Sequence, residues 1–409
     1  MKILFIAELT SIHAIKWINL FKESGLNITI YQSLAPSYGV NDLLNCGILY
    51  LPNIHSKPTG KTQYINTLGY PSNIIFQKVL FHCGFKIAPN YFKEKHNSYL
   101  SYLINNYKPD IIHSLGLYVN GSNICLPLME TLKRNRKYNQ IPWIYSTWGA
   151  DLDYFAQLSD DNLAKVKQML KRVDFQIAEC QRDKELAIKF GFKGKFLGYF
   201  PGGGGLSLKT IDRYCKKGSV SKRRIIIVKG RDYIDGDPIG RAMTIMKALL
   251  LCKHKLNGYQ VIVIQAGKNI THEASKLKVK GINIICLSGL PYTKLLELMG
   301  KTKIFIADTI NDGLPNTLVE SISLGAFPIH SNLFSLQDWI KNRENGLLVD
   351  SGDIKKYAYS INMALSNDNF IDRASKINKK IVFSRLCSDV VKKKMIQIYK
   401  DIINENIIH

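Results

Sequence analysis

The stretch Lys303–Ile329, KIFIADTINDGLPNTLVESISLGAFPI, decides the fold. Its apolar run at 304–307 predicts a buried strand, and the polar segment 308–315 predicts a loop. Asn316 to Leu324 predicts a short helix, which Gly325 ends before a second apolar run. Together these segments form one strand–loop–helix–strand repeat of a parallel sheet. Because ligands bind outside the carboxyl ends of such strands, the loop predicts a binding site.

The loop carries residue types that suit a phosphate-bearing ligand. Gly313 lets the backbone pass close to a ligand, and Pro315 suits the first turn of a helix. The amides of 316–318 are expected to point outward and form an anion site. Asp312 precedes these amides and Glu320 lies inside the helix, so a carboxylate flanks the anion site on each side. This pattern fits a ligand with hydroxyls at both ends and phosphate between them, as in a nucleotide sugar.

The stretch 311–329, NDGLPNTLVESISLGAFPI, resembles the signature of the group 1 enzymes of family 4, which are retaining glycosyltransferases with the GT-B fold. That signature has two acidic residues with seven residues between them, and Asp312 and Glu320 have this spacing. The first acid is usually Glu, so Asp312 is one methylene shorter. The resemblance implies that Asp312 contacts the donor sugar and Glu320 holds the ribose, both acting in catalysis. It also implies that amides of the loop hold the sugar and diphosphate, namely those of Gly313, Leu314, Asn316, Thr317 and Leu318.

The resemblance covers nearly the whole second half of the chain and implies further donor-binding residues. A buried strand is followed by Lys229 and Arg231, and Arg241 begins a helix. In the family, cations at this strand end hold the donor diphosphate and neutralise charge on the leaving group. Two of the three cations are expected to bind the diphosphate, and Lys229 and Arg241 are favoured. The alternative is that these residues are exposed surface cations. The nucleobase is expected beside Gly289 and Leu290.

The first half resembles the family loosely and supplies candidates for the acceptor side. His113 lies in DIIHS at a strand end, and the resemblance implies that it hydrogen-bonds the transferred sugar. Asp151 follows Trp148 after another strand, and it would orient the acceptor hydroxyl or act as a base. Ser11 and His13 follow the first strand, where the family's first turn faces acceptor or donor phosphates. A purely structural role is the alternative for His13.

The fold implied by the resemblance is α/β, with two doubly wound, Rossmann-like domains facing a central cleft. Residues 1–201 are predicted to form the acceptor-side domain, and 202–206 a glycine-rich hinge. Residues 207–385 are predicted to form the nucleotide-sugar-binding domain. A helix within 386–409 is expected to pack toward the first domain. The aromatic, irregular segment 36–100 corresponds to a variable region that shapes the acceptor site in the family.

Composition excludes several other classes of protein. The 409 residues suggest two or three domains, and eight cysteines without a CxxC pair indicate a reducing compartment rather than a disulfide framework or zinc site. No apolar run approaches the ~20 residues that span a bilayer, and MKILFIAELT predicts a first strand rather than a signal peptide. The net charge of +24 favours an anionic partner such as a membrane surface, with coding bias as an equal alternative. No nucleic-acid-binding pattern is present.

These observations predict a retaining, metal-independent hexosyltransferase. It would need no cofactor, would use a UDP- or GDP-linked sugar as co-substrate, and would glycosylate a glycan or lipid-linked glycan in lipopolysaccharide or capsule synthesis. It is expected in the cytoplasm, with the inner face of the membrane as a possible surface. One alternative is a catalytically silent module that binds a nucleotide sugar or polyanion, because Asp312 and the order of the cations depart from the family pattern. A glycoside hydrolase using the same two acids is disfavoured by their position beside an anion site.

Overall fold

The computed structural model describes residues 1–8, 11–21, 23–31, 48–51, 63–66, 100–119, 122–123 and 125–407. Two compact units make up the chain. Unit 1 comprises Met1–Gly204 and Lys392–His409, and unit 2 comprises Gly205–Val391. Most of segment 36–100, where the variable acceptor-side region was predicted, lies outside the described residues.

Unit 1 is built on a parallel sheet whose described strands follow the order β10-β9-β8-β5-β1-β2-β3-β4. A short antiparallel hairpin, β6–β7, lies outside this sheet. The strands are β1 (Lys2–Ile6), β2 (Asn27–Tyr31), β3 (Ile48–Leu51), β4 (Gln63–Asn66), β5 (Ile111–Leu115), β6 (Tyr118–Val119), β7 (Ser122–Asn123), β8 (Trp143–Ser146), β9 (Phe175–Ala178) and β10 (Lys195–Tyr199).

Helices cover the unit 1 sheet and close its core. They span Ile12–Asn19, residues 100–107, Leu126–Arg134, Asp160–Leu170 and Gln181–Lys189, and the last helix of the chain spans Ser388–Ile407. Local sequence explains where some of them begin. Ser159 caps one helix by accepting a hydrogen bond from the Asn162 amide at 3.2 Å, and Asp160 and Asp161 add negative charge at its amino end.

Unit 2 is built on a parallel sheet with the order β13-β12-β11-β14-β15-β16. Its inner strands are runs of Ile, Val and Phe, as expected when helices cover both faces of a parallel sheet. The strands are β11 (Ile225–Lys229), β12 (Gln260–Ile264), β13 (Ile284–Leu287), β14 (Thr302–Ala307), β15 (Phe327–Ser331) and β16 (Leu347–Val349). The helices are Leu208–Tyr214, Ala242–Leu251, Lys268–Val279, Tyr292–Gly300, Asn316–Ser323, Ile354–Ser366 and Asp368–Ile381.

Both units are therefore α/β domains with strands added on both sides of a starting strand, as predicted. In unit 2, β12 and β13 extend the sheet to one side of β11, whereas β14, β15 and β16 extend it to the other. No helix in the described part of the chain is both long and apolar enough to cross a lipid bilayer.

The glycine-rich segment after β10 is tightly packed. A Cβ on Gly202 would lie 2.5 Å from Glu179 Oε1. Gly205 has a φ of +76°, and a Cβ there would lie 1.7 Å from the Leu386 carbonyl oxygen. Side chains are therefore excluded from both positions by close contacts. The division between the two units falls within this segment, after Gly204.

A buried arginine holds the carboxyl end of the helix Asn316–Ser323. Arg223 is 5% exposed, and its Nη1 donates to the carbonyl oxygens of Leu324 at 2.9 Å and Thr302 at 3.0 Å. Its Nη2 donates to the Lys216 carbonyl oxygen at 3.0 Å. A cation at this position satisfies helix carbonyls and interacts favourably with the helix dipole.

We expect Arg223→Ala to lower the free energy of unfolding by about 3 kcal/mol, because it leaves several buried carbonyl groups without their donor. Arg224→Ala is the matched control, because the neighbouring Arg224 is exposed, and its loss is expected to cost less than about 1 kcal/mol. Urea unfolding measures both variants. Equal effects in the two variants would contradict a role for Arg223 at the helix end.

Candidate functional site

Two predicted site residues meet where the strand order of unit 2 reverses. Lys229 ends β11, and the loop with Asp312 follows the neighbouring strand β14. Lys229 Nζ lies 3.7 Å from Asp312 Oδ2, and their side chains are 14% and 19% exposed. The reversal point of a doubly wound sheet is the usual position of a ligand site. The predicted cation and the predicted first acid are thus neighbours at that position.

The Asp312 loop is held in place by its own hydrogen bonds. Asp312 Oδ1 accepts from the Gly313 amide at 2.9 Å, and Ser335 Oγ donates to the Asp312 carbonyl oxygen at 2.8 Å. Thr309 Oγ1 donates to the Asn311 carbonyl oxygen at 2.8 Å. These bonds fix the direction of the carboxylate. They also bear on the prediction that the Gly313 amide binds a ligand. The Gly313 amide already has an acceptor and is not open to a ligand in this state.

The amino end of the helix Asn316–Ser323 was predicted to form an anion site, and its hydrogen bonds limit which amides can contribute. The Leu318 amide donates to the Pro315 carbonyl oxygen at 3.0 Å, which closes the first turn and removes Leu318 from the predicted anion site. Leu314 is 1% exposed, so its side chain belongs to the core. Thr317 Oγ1 is buried and has no hydrogen-bond partner among the described residues. The predicted anion site therefore contains fewer backbone amides than the range 313–318.

Glu320 is buried, with 5% of its surface exposed, and it is hydrogen-bonded to Tyr292, which was not predicted as a site residue. The Tyr292 hydroxyl donates to Glu320 Oε1 at 2.6 Å. Burial, followed by the nearby Glu320 carboxylate, raises the pKa of Tyr292, so this hydroxyl keeps its proton. Tyr292 follows Gly289 and Leu290, the predicted nucleobase residues, and Gly289 has a φ of +64° in a turn after β13. The turn expected to hold the base is thus connected to the acid expected to hold the ribose.

Arg241 is brought beside the loop after β14, but its guanidinium is occupied. The Arg241 amide donates to the Asp308 carbonyl oxygen at 3.0 Å. Its Nη1 donates to the carbonyl oxygens of Gly240 at 2.6 Å and Pro238 at 3.1 Å, and the guanidinium stacks 4.9 Å from the centre of the Tyr233 ring. A ligand phosphate would have to replace these contacts to bind Arg241.

The segment between Lys229 and Arg241 is ordered by acidic residues. Arg231, half-exposed, forms an ion pair with Asp237. Asp232 is fully buried, and its carboxylate accepts from the amides of Ile234 at 3.1 Å and Met243 at 2.7 Å. Asp232 therefore fixes both the turn and the start of the next helix. Its role was not predicted, although an Asp directly before a loop and a helix is a common capping signal.

A second unpredicted residue is His330, which pairs with Ala307 across β14 and β15. It is 1% exposed near the end of β15, and its Nδ1 lies 3.0 Å from Ser331 Oγ. Burial, followed by the charge of Lys229, lowers the pKa of His330 to about 4, and Asp312 opposes this shift. The imidazole is therefore neutral at pH 7. A polar residue ending the apolar run FPI was the available signal in the sequence.

His113, a predicted catalytic residue, lies in the interior of unit 1. Its side chain is fully buried in unit 1, with Nδ1 2.7 Å from the Tyr399 hydroxyl and Nε2 2.7 Å from Ser146 Oγ. Burial lowers the pKa of His113 to about 3. Both ring nitrogens are thus engaged with side chains of unit 1, and contact of His113 with a transferred sugar stays a prediction.

Asp151 is also buried in unit 1 and accepts several hydrogen bonds there. It is 3% exposed, and its Oδ2 accepts from the amides of Leu117 at 2.9 Å and Trp148 at 3.1 Å. The Tyr145 hydroxyl donates to the same oxygen at 3.2 Å. Asp151 thereby ties two strand ends together, and its role toward the acceptor hydroxyl stays a prediction.

The loop with Trp148 is held by a second buried acid that was not predicted. Glu179 accepts from the Gly149 amide at 2.6 Å and from the Gly202 amide at 3.0 Å. Trp148 packs edge-on against Trp17 with 6.3 Å between ring centroids.

The other two acceptor-side candidates lie at the start of the first helix. Ser11 precedes the helix Ile12–Asn19 and His13 lies in its first turn, and both side chains are half-buried. Trp148, Ser11 and His13 stay predictions as acceptor-side residues.

A cavity of about 820 Å³ in unit 2 lies at the opposite end of the sheet from the residues predicted to bind the donor. It opens at the amino ends of the strands and is lined by residues such as Arg224, Tyr259 and Gln260. Because Lys229 and Asp312 follow the carboxyl ends, this cavity is separate from the site. Within the described part of the chain, no group of three or more His, Cys, Asp and Glu is arranged to hold a metal ion.

Comparison with known proteins connects this geometry to a family. Residues 242–381 match the family described as Glycosyl transferases group 1, a range that contains Gly289, Tyr292, Asp312, Glu320 and His330. No curated protein sequence matches the chain.

Solved structures match over nearly the whole chain at low sequence identity. A sucrose-phosphate synthase from Thermosynechococcus elongatus has a TM-score of 0.69 at 13% identity, over 99% of this chain and 100% of that chain. Anabaena HepE in complex with UDP and glucose has a TM-score of 0.65 at 13% identity, over 98% and 100%. The lipopolysaccharide outer core galactosyltransferase WaaB has a TM-score of 0.63 at 16% identity, over 97% and 98%.

These matches confirm the predicted fold class. The chain has the GT-B fold, and its residues 242–381 match the family described as Glycosyl transferases group 1.

Proposed function

We propose that this protein transfers a sugar from a nucleotide-sugar donor to a hydroxyl of a glycan acceptor, with retention at the anomeric carbon. The observation that carries the proposal is the pairing of Lys229 with Asp312 in unit 2, at the loop that leads into the helix with Glu320, within and beside the segment that matches the family. A cation suits the diphosphate of a nucleotide sugar, an acid beside a helix amino end suits the hydroxyls of the sugar, and a second acid in that helix suits the ribose.

Each group has a distinct place along the proposed donor. Lys229 would meet the diphosphate, together with the amino end of the helix Asn316–Ser323. Asp312, at the loop tip, would accept hydrogen bonds from sugar hydroxyls. Glu320, oriented by Tyr292, would accept from the ribose hydroxyls, with the base against the Gly289 turn. Arg241 would join the diphosphate after releasing its loop carbonyls.

The proposed reaction breaks the bond between the anomeric carbon and the diphosphate oxygen. The acceptor oxygen forms the new bond on the same face of the sugar and loses its proton. Negative charge accumulates on the departing diphosphate, and the Lys229 ammonium and helix amides would stabilise it without a metal ion. We do not assign His113 or Asp151 to this step, because both serve the interior of unit 1.

The choice of donor and acceptor classes rests on chemistry shared with similar structures. HepE was solved in complex with UDP and with UDP-glucose, which favours a UDP-linked hexose over a GDP-linked one. WaaB is a lipopolysaccharide outer core galactosyltransferase, which favours a glycan acceptor in surface polysaccharide synthesis. The net charge of +24 favours action in the cytoplasm beside an anionic membrane surface.

Binding of UDP tests the donor site directly. Calorimetry is expected to show that Glu320→Gln weakens UDP binding at least tenfold, because the ribose loses a charged hydrogen-bond acceptor. The variant keeps an oxygen that can accept from Tyr292, so the local fold is retained. Glu297→Gln, which changes a surface acid of the helix Tyr292–Gly300, is the matched control and is expected to bind UDP like the native protein.

Equal binding by both variants would remove Glu320 from the site. Tight UDP binding without any sugar transfer or donor hydrolysis would support a catalytically silent binding module instead.

A further inference from the structure

The cavity of about 820 Å³ at the amino ends of the unit 2 strands has the features of a separate binding site. Arg224, Tyr259 and Asn283 line it, and each directly precedes one of the neighbouring strands β11, β12 and β13. The Gln260 amide donates to the Arg224 carbonyl oxygen at 2.9 Å, which holds the first two of these residues side by side. The volume lies within the usual range for pockets that take small molecules.

The charged side chains on the wall of this cavity are cations. Arg224 and Lys253 line it, and among the described residues that line it none is an aspartate or a glutamate. The Lys253 ammonium lies beside the backbone of Gly281, another lining residue, since a Cβ added there would be 3.5 Å from Lys253 Nζ. Cations from two separate segments therefore line one space, and the potential in that space favours an anion.

Two cations determine how the Tyr259 hydroxyl is used. Its oxygen accepts a hydrogen bond from Arg224 Nη1 at 3.0 Å and another from Lys303 Nζ at 3.0 Å. Arginine and lysine can only donate, so both bonds occupy lone pairs of the phenol oxygen and the hydroxyl proton is donated elsewhere. No acceptor for this proton is found among the described residues. Tyr259 therefore offers an O–H donor beside the cations of the cavity.

The interior of unit 2 holds the Tyr259 hydroxyl in this arrangement. Lys303 is 1% exposed, and its Nζ also donates to Asp368 Oδ1 at 2.8 Å. Lys303 lies where the pairing of β14 with β11 shifts register. Such irregularities redirect side chains and are frequent beside functional sites. A buried lysine that orients a hydroxyl on a cavity wall indicates a built site rather than a chance surface groove.

We propose that this cavity binds the phosphate group of a phosphate monoester, at a site separate from the donor site and independent of the proposed function. Arg224 and Lys253 supply two positive charges, which match the charge of about −1.5 to −2 that such a group carries at pH 7. The guanidinium of Arg224 and the O–H of Tyr259 donate to its oxygens. A carboxylate has one charge and two oxygens, so it matches this set of groups less well.

A phosphate monoester reaches the cavity either on a dissolved molecule or on a lipid headgroup. Leu251 and Val279 are 56% and 89% exposed, and they lie shortly before the lining residues Lys253 and Gly281 in the chain. Exposed apolar side chains beside lysines also suit a lipid surface. The experiment therefore has one arm for each source.

Phosphorus NMR measures binding of glycerol phosphate to the full chain, and sedimentation measures binding to phosphatidylcholine vesicles that contain one-fifth phosphatidic acid. Lys253→Ala is expected to weaken binding of at least one probe about fivefold, because the phosphate loses one of its two cations. Lys255→Ala is the matched control, because Lys255 lies in the same turn, Lys253–Lys255, outside the cavity lining, and is expected to bind within about twofold of the native protein. Tyr259→Phe removes the O–H donor and is expected to weaken binding about threefold.

Binding of glycerol phosphate that depends on Lys253 would support a dissolved ligand, and binding of the vesicles alone with the same dependence would support a lipid headgroup. Equal losses in Lys253→Ala and Lys255→Ala would reduce the effect to general surface charge and overturn the proposal. Absence of binding to either probe would overturn it too, as would undiminished binding by Tyr259→Phe. A loss in Lys229→Ala with native binding by Lys253→Ala would place the phosphate at the donor site and overturn it as well.

Discussion

Lys229→Ala is expected to lower kcat/KM for the nucleotide-sugar donor by about 100-fold or more. Its ammonium lies at the strand-order reversal of unit 2, 3.7 Å from Asp312, and it is 14% exposed. A preorganised cation at this position stabilises charge that develops on the leaving diphosphate, and removal of one such group costs ~10²–10³ in rate. Arg231 and Arg241 are engaged with an acid and with loop carbonyls, so neither is positioned to replace it fully.

Two control variants sharpen this measurement. Lys280→Ala removes one exposed lysine from the same unit and is expected to leave kcat/KM unchanged within about twofold. Lys229→Arg keeps the charge but changes the geometry, and is expected to lie between the native and Ala values. A change of less than threefold in Lys229→Ala would show that the diphosphate is held elsewhere.

The second large effect is on stability at acidic pH. The pKa of His113 is lowered by burial to about 3, below the ordinary value of 6.5 that it regains on unfolding. Between these values the unfolded chain binds more protons than the folded one. The stabilising contribution is therefore complete above pH 6.5 and is lost as the pH falls toward 3, at about 1.4 kcal/mol per pH unit.

His113→Leu tests this pH dependence. At pH 7 the variant is expected to be about 3 kcal/mol less stable, because the buried hydroxyls of Tyr399 and Ser146 lose their partner. Between pH 6 and pH 5 its unfolding free energy is expected to fall less steeply than that of the native protein, by about 1.4 kcal/mol per pH unit. Urea unfolding followed by tryptophan fluorescence reports mainly on unit 1, which contains three of the four tryptophans.

An exposed histidine provides the control for this experiment. His254→Gln is expected to preserve the native pH dependence, because His254 is exposed on unit 2 and its replacement leaves the buried His113 in place. His330, whose pKa is lowered to about 4, contributes with the same sign in unit 2 and is unchanged in both variants. An identical pH slope for His113→Leu and the native protein would show that His113 is not the group responsible.

The local part of the site could be predicted from the sequence. The strand, loop and helix around Asp312 and Glu320 follow from an apolar run, a glycine and proline turn and a helical segment, all within 27 residues. The predicted helix, Asn316 to Leu324, differs from the observed one by a single residue at its end. Such short-range patterns determine element type and the strand ends at which polar residues appear.

Contacts between distant segments could not be predicted in this way. Tyr292 reaches Glu320 across 28 positions, and the level placement of Lys229 and His330 depends on the register of three strands. Nothing in the sequence near His330 indicates which face of β15 it occupies. These relations arise only when the order of the parallel strands is known.

The assignments of His113 and Asp151 rest on the same kind of sequence evidence. His113 lies near the end of β5, and Asp151 follows β8. At such positions a ligand-binding residue and a buried residue that joins strand ends have the same sequence pattern. The difference is burial: Tyr399 covers His113 from the last helix, and three hydrogen bonds from protein groups converge on one oxygen of Asp151.

Turnover of a panel of UDP- and GDP-linked hexoses tests the central claim most directly. The native protein is expected to bind one nucleoside diphosphate, to be stabilised by it against heat, and to release it slowly from the matching sugar donor even without acceptor. Lys229→Ala and Glu320→Gln are expected to lose both the stabilisation and the release. No binding and no release with any donor in the panel would contradict the assignment of this chain as a nucleotide-sugar-dependent glycosyltransferase.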